Sequence, residues 1–180
     1  MSSALVSRLE QLRELIRHTE RPAVRGRLVA EGISEGLPQG ILIELIGTAK
    51  AEWMMRLLAL NPDVRLAWLE HRMTVFPTAM SQRGVSLNRA VFIETEKNLL
   101  WSARQVLQSQ LFGCVVLPGI PLVDRELKRL QLGCEKSGCS VFFMAERPST
   151  NWPISVRLQI DWKPGPKPEW ALTLLRSKGG

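Results

Sequence analysis

Apolar and polar positions follow two periods along this chain, and the clearest change of period falls between Ile41 and Leu60. Ile41 to Ile46 is an apolar run interrupted by Glu44, which reads as a buried strand reaching Gly47. Trp53, Leu57, Leu58 and Leu60 then recur at helical spacing. The pattern predicts a strand, a glycine turn and a helix in direct succession.

The same alternation continues downstream. After the turn residues Asn61-Pro62-Asp63, the run Val64 to Leu69 predicts a second strand ending at Glu70-His71. Pro77 opens a short helix that Gly84 stops, and Ala90 to Ile93 is a third strand. Lys97 to Gln110 reads as a helix with Leu100, Ala103, Leu107 and Leu111 on one face. Gly113 to Leu117 is a fourth strand, closed by Pro118-Gly119. Val123, Leu127, Leu130 and Cys134 mark another helix, and Cys139 to Met144 another strand. Crossovers of about a dozen residues or more require parallel neighbours. The last segments, Ile154 to Ile160 and Trp170 to Leu175, alternate instead, Val156, Leu158 and Ile160 against Arg157, Gln159 and Asp161. They predict an antiparallel hairpin around the proline-rich loop Lys163 to Pro168.

Upstream, Ser3 is placed to cap a helix with one apolar stripe, Leu5, Leu9, Leu12 and Ile16, which Arg21-Pro22 ends. From Val24 to Pro38, Gly26, Gly32, Gly36 and Pro38 predict one short strand and loops. The expected organisation is an amphipathic N-terminal helix over residues 1–22 and a core domain over residues 23–180. The fold class is α/β, a three-layer domain with a mostly parallel central sheet, helices on both faces and a C-terminal antiparallel hairpin.

Composition narrows the functional classes. The chain has 180 residues, 45% of them hydrophobic and 23% charged, and no apolar run approaches the roughly 20 residues that span a bilayer. Charges at Arg8 and Glu10 interrupt any signal-peptide core, so cytoplasmic residence is expected. Cys114, Cys134 and Cys139 form no C-x-x-C pair, and His18 and His71 are far apart, so neither disulfides nor a metal site is indicated. The net charge of +7 is concentrated toward the C-terminus: +1 over residues 1–60, +2 over 61–120 and +4 over 121–180. A basic last third suits nucleic acid, an acidic protein surface, or simply a solvated face.

A strand, glycine turn and helix is where nucleotide-binding α/β proteins hold phosphate. The chemistry requires G-x-x-x-x-G-K-[ST]. Counting from Gly47, the last three positions are Glu52, Trp53 and Met54. Glu52 would repel a phosphate and Trp53 would fill its space, while using Lys50 as the cation leaves the loop too short. The element reads as a degenerate phosphate loop, or as a strand and helix that never bound phosphate. A magnesium-binding aspartate is also missing, because Gly113 to Leu117 ends in Pro118 and Asp124 lies too far on. No nucleotide cofactor and no catalytic residue is expected. Glu70 and His71 are adjacent on a strand and point to opposite faces, and Ser81, Ser86 and Cys114 lack an evident histidine partner.

Several stretches carry a family resemblance. Leu37-Pro38-Gln39-Gly40 through Glu44-Leu45-Ile46-Gly47 resembles the approach to the phosphate loop of RecA. Trp68-Leu69-Glu70-His71, with Pro77 and Gly84-Val85, resembles RecA's next strand and helix, with Glu70 at the position of its catalytic glutamate. The segment from Asp124 to Leu132, with Glu135, and then Phe142-Phe143-Met144-Ala145-Glu146-Arg147-Pro148, is similar to the L-R-R-L-Q-L-A-A-E and F-x-x-R-P pattern of ImuA-type proteins. These are RecA-like accessory members of bacterial translesion-synthesis mutasomes. SulA, the cell-division inhibitor of the same degenerate group, is less similar in the Arg129-Leu130-Gln131 helix.

The resemblance implies a RecA-like core and a non-catalytic, SOS-induced protein of mutagenic DNA repair. Its implied partners are an ImuB-type Y-family polymerase, with RecA, an error-prone DnaE-type polymerase and a second copy of the chain as further candidates. The alternatives are a division inhibitor that binds the division tubulin, and a nucleotide-dependent enzyme with an unrecognised site. Two surfaces are singled out for partners: the stripe Leu5, Leu9, Leu12 and Ile16, and the outer side of the later helix, with Arg125, Lys128 and Arg129. For weak nucleic-acid contact, Lys163, Lys167, Arg176 and Lys178 lie near Trp152, Trp162 and Trp170. Such tryptophans equally serve to cover the open end of a sheet.

Overall fold

The computed structural model describes residues 26–150 and 153–177. The expected N-terminal helix with its stripe Leu5, Leu9, Leu12 and Ile16 lies outside the described residues, as do Trp152 and Lys178.

The chain opens with strands β1 (Arg27–Ala30) and β2 (Ile33–Pro38), which pair antiparallel as a sheet of their own. The sequence pattern predicts one strand here; the turn at Gly32, with φ 83°, reverses the chain and makes two. Polar Ser34 and Glu35 hide the second strand from an apolar-run criterion. Next come β3 (Leu42–Ile46), α1 (Lys50–Leu60), β4 (Leu66–Glu70), α2 (Pro77–Gln82), β5 (Ala90–Glu94) and α3 (Leu99–Ser109). The chain continues through β6 (Cys114–Pro118), α4 (Asp124–Ser137), β7 (Ser140–Met144), β8 (Val156–Trp162) and β9 (Trp170–Ser177).

Strands β3 to β9 form one seven-stranded sheet in the order β5-β4-β6-β7-β3-β8-β9. Every neighbouring pair is parallel except β8 and β9. The expected late hairpin is therefore present at one end of the sheet. Alternation along the buried strands divides two apolar clusters. Ile43, Leu45, Leu66, Trp68, Cys114, Val116 and Phe142 join α1 residues Trp53, Met54, Leu57 and Leu58 on one face. Leu42, Ala67, Leu69, Val115, Leu117, Val141 and Phe143 join α3 and α4 on the other. Strands covered on both faces read as continuous apolar runs, which is why they were legible.

Side-chain placement departs from the sequence pattern at four positions. Leu111, expected on the buried face of α3, follows the end of that helix and is 59% exposed. Val123 precedes α4 and is also exposed, its backbone N–H donating to Glu126 Oε2 at 3.2 Å. Trp53 does not enter the space of a phosphate: it is fully buried beneath the first hairpin, its Nε1 donating to Glu31 O at 2.9 Å. Arg157, expected on the polar side of its strand, is buried against the buried Glu44 of β3. None of the described helices is long and apolar enough to cross a membrane.

Candidate functional site: a closed glycine turn beside an apolar cleft

Gly47 leaves β3 with φ 99°, a left-handed conformation that glycine adopts without steric cost. The next three residues turn into α1, and backbone N–H groups at this place hold the anion in a phosphate loop. Here two of the three are already used. Thr48 N–H donates to Asp161 Oδ1 at 2.9 Å, and Ala49 N–H donates to Ile160 O at 2.9 Å. Thr48 Oγ1 donates to Asp161 Oδ1 at 3.2 Å and accepts from Trp162 N–H at 3.0 Å. The end of β8 thus supplies a carboxylate to the turn. A Cβ at Gly47 would stand 2.2 Å from Ile160 O, so the two backbones meet too closely for any side chain there.

Charge follows this geometry. Hydrogen bonds from Gln159 and Thr48 hold the Asp161 carboxyl below its usual range. A carboxyl whose folded pKa is depressed adds stability above its unfolded pKa and loses it as pH falls through the folded value. The melting temperature of Asp161→Ala is therefore expected to lie below that of the native protein at neutral pH. The gap should close as pH drops below the ordinary aspartate range, a result readable by calorimetry. A gap independent of pH would show that the carboxylate charge is not what closes the turn.

On the other side of the first turn of α1 lies a cleft of about 490 Å³ at the carboxyl ends of β4, β6 and β7. This is the end of an open α/β sheet where ligands collect. Its walls are largely apolar, with Met55, Trp68, Val75, Phe76, Pro118 and Met144 among them. Pro118, not a carboxylate, stands at the end of β6 beside the cleft. Its two cations are both in ion pairs: Lys50 Nζ lies 2.8 Å from Glu146 Oε1, and Arg83 pairs with Glu52. The pairing with Lys50 holds the Glu146 carboxyl below its usual range.

Glu70 reaches the same cleft but is bound within its own loop. Its Oε1 accepts from Trp68 Nε1 at 2.9 Å, its Oε2 accepts from Thr74 N–H, and Thr74 Oγ1 lies 3.1 Å from both oxygens. His71 turns away, Nδ1 at 3.1 Å from Thr95 O. Ser86 Oγ donates to Asn88 Oδ1 at 2.8 Å, Ser81 is exposed, and Cys114 is fully buried. These groups do not converge. What the cleft offers is an apolar wall with paired charges at its rim, suited to an apolar side chain or ring.

Of the degenerate-loop residues, the structure brings Lys50 and Glu52 to the cleft and sends Trp53 and Met54 into the core. Asp161, the residue that closes the turn, escaped the sequence because it is 113 residues from Thr48 and its partner is a backbone N–H. Arg125, Lys128 and Arg129 lie exposed on α4 while Leu127, Leu130 and Cys134 are buried, as the helical spacing requires. The hairpin tryptophans pack on each other: Trp162 and Trp170 meet edge to face at 5.8 Å, and the Arg56 guanidinium lies 5.5 Å from the Trp170 ring centre. Lys163 Nζ is 3.8 Å from Glu169 Oε2, and Lys167 is exposed. Arg176 is half-buried on β9.

Among the described residues, no group of three or more His, Cys, Asp or Glu side chains is placed to hold a metal ion. Burial raises the pKa of all three cysteine thiols well above the usual range. Thiolate is the reactive form, so a maleimide reagent is expected to label none of them in the folded protein and all three in urea. Stoichiometric labelling of the native chain would contradict this. Compared with known proteins, the chain matches no family model and no curated protein.

Proposed function

We propose that this chain is a non-catalytic, RecA-like adaptor of SOS-induced mutagenic translesion synthesis. In this reading it joins an ImuB-type polymerase to its co-workers, RecA and an error-prone DnaE-type polymerase among them. The observation that carries the reading is the closed turn: the Thr48 and Ala49 N–H groups, placed where a phosphate loop holds its anion, are on Asp161 and Ile160. Glu70, at the position where the resemblance puts a catalytic glutamate, is committed to Trp68 and Thr74. Such a scaffold keeps the shape of a nucleotide-binding domain and leaves its surface for partners.

The mostly parallel sheet, with β3 at its interior and a late hairpin at one end, agrees with a RecA-like organisation. The stretches similar to ImuA-type proteins fall on α4 and on β7 with the turn after it, so they combine an exposed basic face with a buried strand. The test is a parallel titration of the purified chain against the ImuB-type polymerase of its own organism, RecA and the division tubulin. Binding to the ImuB-type protein and not to the tubulin is the expected result. Binding to the tubulin alone would replace the adaptor with a division inhibitor, and protection of the chain by magnesium ATP would replace it with a nucleotide-dependent enzyme.

A further inference from the structure

The end of the sheet formed by β9 carries an inference that does not depend on the partner proposed above. Among the described residues β9 pairs with β8 alone. Lys163 N–H donates to Glu169 O at 2.7 Å, which fixes the phase of the antiparallel ladder. Counting from that bonded pair along the register Trp162↔Trp170, Asp161↔Ala171, Ile160↔Leu172, alternate residues take the bonded positions. Ala171 and Thr173 are therefore bonded to β8, while the N–H and C=O groups of Trp170, Leu172 and Leu174 point outward along the free edge.

Proteins guard such edges with charge, proline or a bulge. Here those devices lie outside the segment: Pro168 precedes it, and the register shift between Leu158↔Leu174 and Arg157↔Arg176 follows it. Trp170 to Leu174 carries no charge and no proline. Trp170 and Leu172 pack on the apolar cluster on the α1 side of the sheet. Leu174, two residues further on the same face, is 56% exposed, so the apolar strip runs on past the end of the core.

We propose that two copies of this chain pair through β9, antiparallel, with the two-fold axis at Leu172. In that register Leu172 lies opposite its own copy and Trp170 lies opposite Leu174 at both ends. The three outward-pointing residues then bond only with one another. Antiparallel pairing also brings Glu169 of one copy within one residue of Arg176 of the other, whereas parallel pairing stacks like charges. The contact is isologous and closes on itself, so it yields a dimer and not a fibre. The two sheets become one continuous sheet, and Leu174 is covered.

The experiment uses the full chain. Sedimentation equilibrium is expected to show a concentration-dependent species of twice 20.3 kDa. Leu174→Lys should move the dissociation midpoint at least about tenfold to higher concentration, because it places a charge in the paired edge. Its melting temperature should stay near native, since Leu174 is exposed in the single chain. Ala171 and Thr173 are exposed and lie opposite each other across the proposed axis, in a non-bonded pair of short Cα separation. Mixing Ala171→Cys with Thr173→Cys under oxidation should therefore give a covalent heterodimer in preference to either homodimer. A chain that stays monomeric throughout would overturn the proposal. So would a dimer that neither responds to Leu174→Lys nor forms the 171–173 cross-link; should Leu174→Lys fail to fold, the cross-link decides alone.

Discussion

Replacing Glu44 with alanine is expected to destabilise the fold by about 3–5 kcal/mol, the cost of stranding one member of a buried ion pair. Glu44 is 3% exposed in the middle of β3, and its partner Arg157 is 9% exposed on β8. The guanidinium donates to Glu44 and, through its second nitrogen, to Ser149 Oγ at 3.0 Å. Ser149 N–H also donates to Glu44, at 3.1 Å from Oε2, so carboxylate, guanidinium and the segment after β7 close a small network. Urea titration of Glu44→Ala and Arg157→Ala should show both losses. The double replacement Glu44→Leu with Arg157→Met should cost less than either, because no charge is then left unpaired. Losses that simply add would show that the pair is not coupled.

The second large effect is at Gly47. Alanine there should cost about 3 kcal/mol or more, combining left-handed backbone strain with a forced shift of the neighbouring backbone. The clash is with Ile160 O, 2.2 Å from the position a Cβ would take. Because Ala49 N–H bonds the same carbonyl, the shift should also loosen the start of α1. Hydrogen exchange is expected to show faster exchange at Thr48 and Ala49 in Gly47→Ala, with the α3 and α4 amides slowed as in the native protein. Unchanged protection at Thr48 and Ala49 would mean that the turn is not held from β8.

Much of this arrangement could be read from residue order. Strands β3, β4, β6 and β7 are largely apolar because both faces are covered, with Glu44 the one charge inside β3, and each is bounded by a glycine, proline or polar turn. The missing lysine, hydroxyl and aspartate of a phosphate site were equally plain, since they are absences at fixed spacings. What escaped was set by contacts between distant segments. Arg157 sits in an alternating pattern that places it on the polar side, yet a carboxylate on the adjacent strand draws it into the interior. Trp53 occupies a motif position, but a helical turn carries it to the opposite side of α1, under the first hairpin. In the sequence Asp161 is one more polar residue of an alternating strand, and only the pairing of β8 with β3 brings it to the turn. The first hairpin was hidden because its polar strand has no large apolar run to announce it.

The proposed adaptor role requires that the chain meet its partners without a nucleotide. The most direct measurement is the affinity of the purified chain for the ImuB-type polymerase, taken with and without magnesium ATP. Micromolar or tighter binding, unchanged by the nucleotide, is the result expected of an adaptor whose phosphate turn is filled by its own aspartate. Binding that appears only with magnesium ATP, or no binding in either condition, would contradict it.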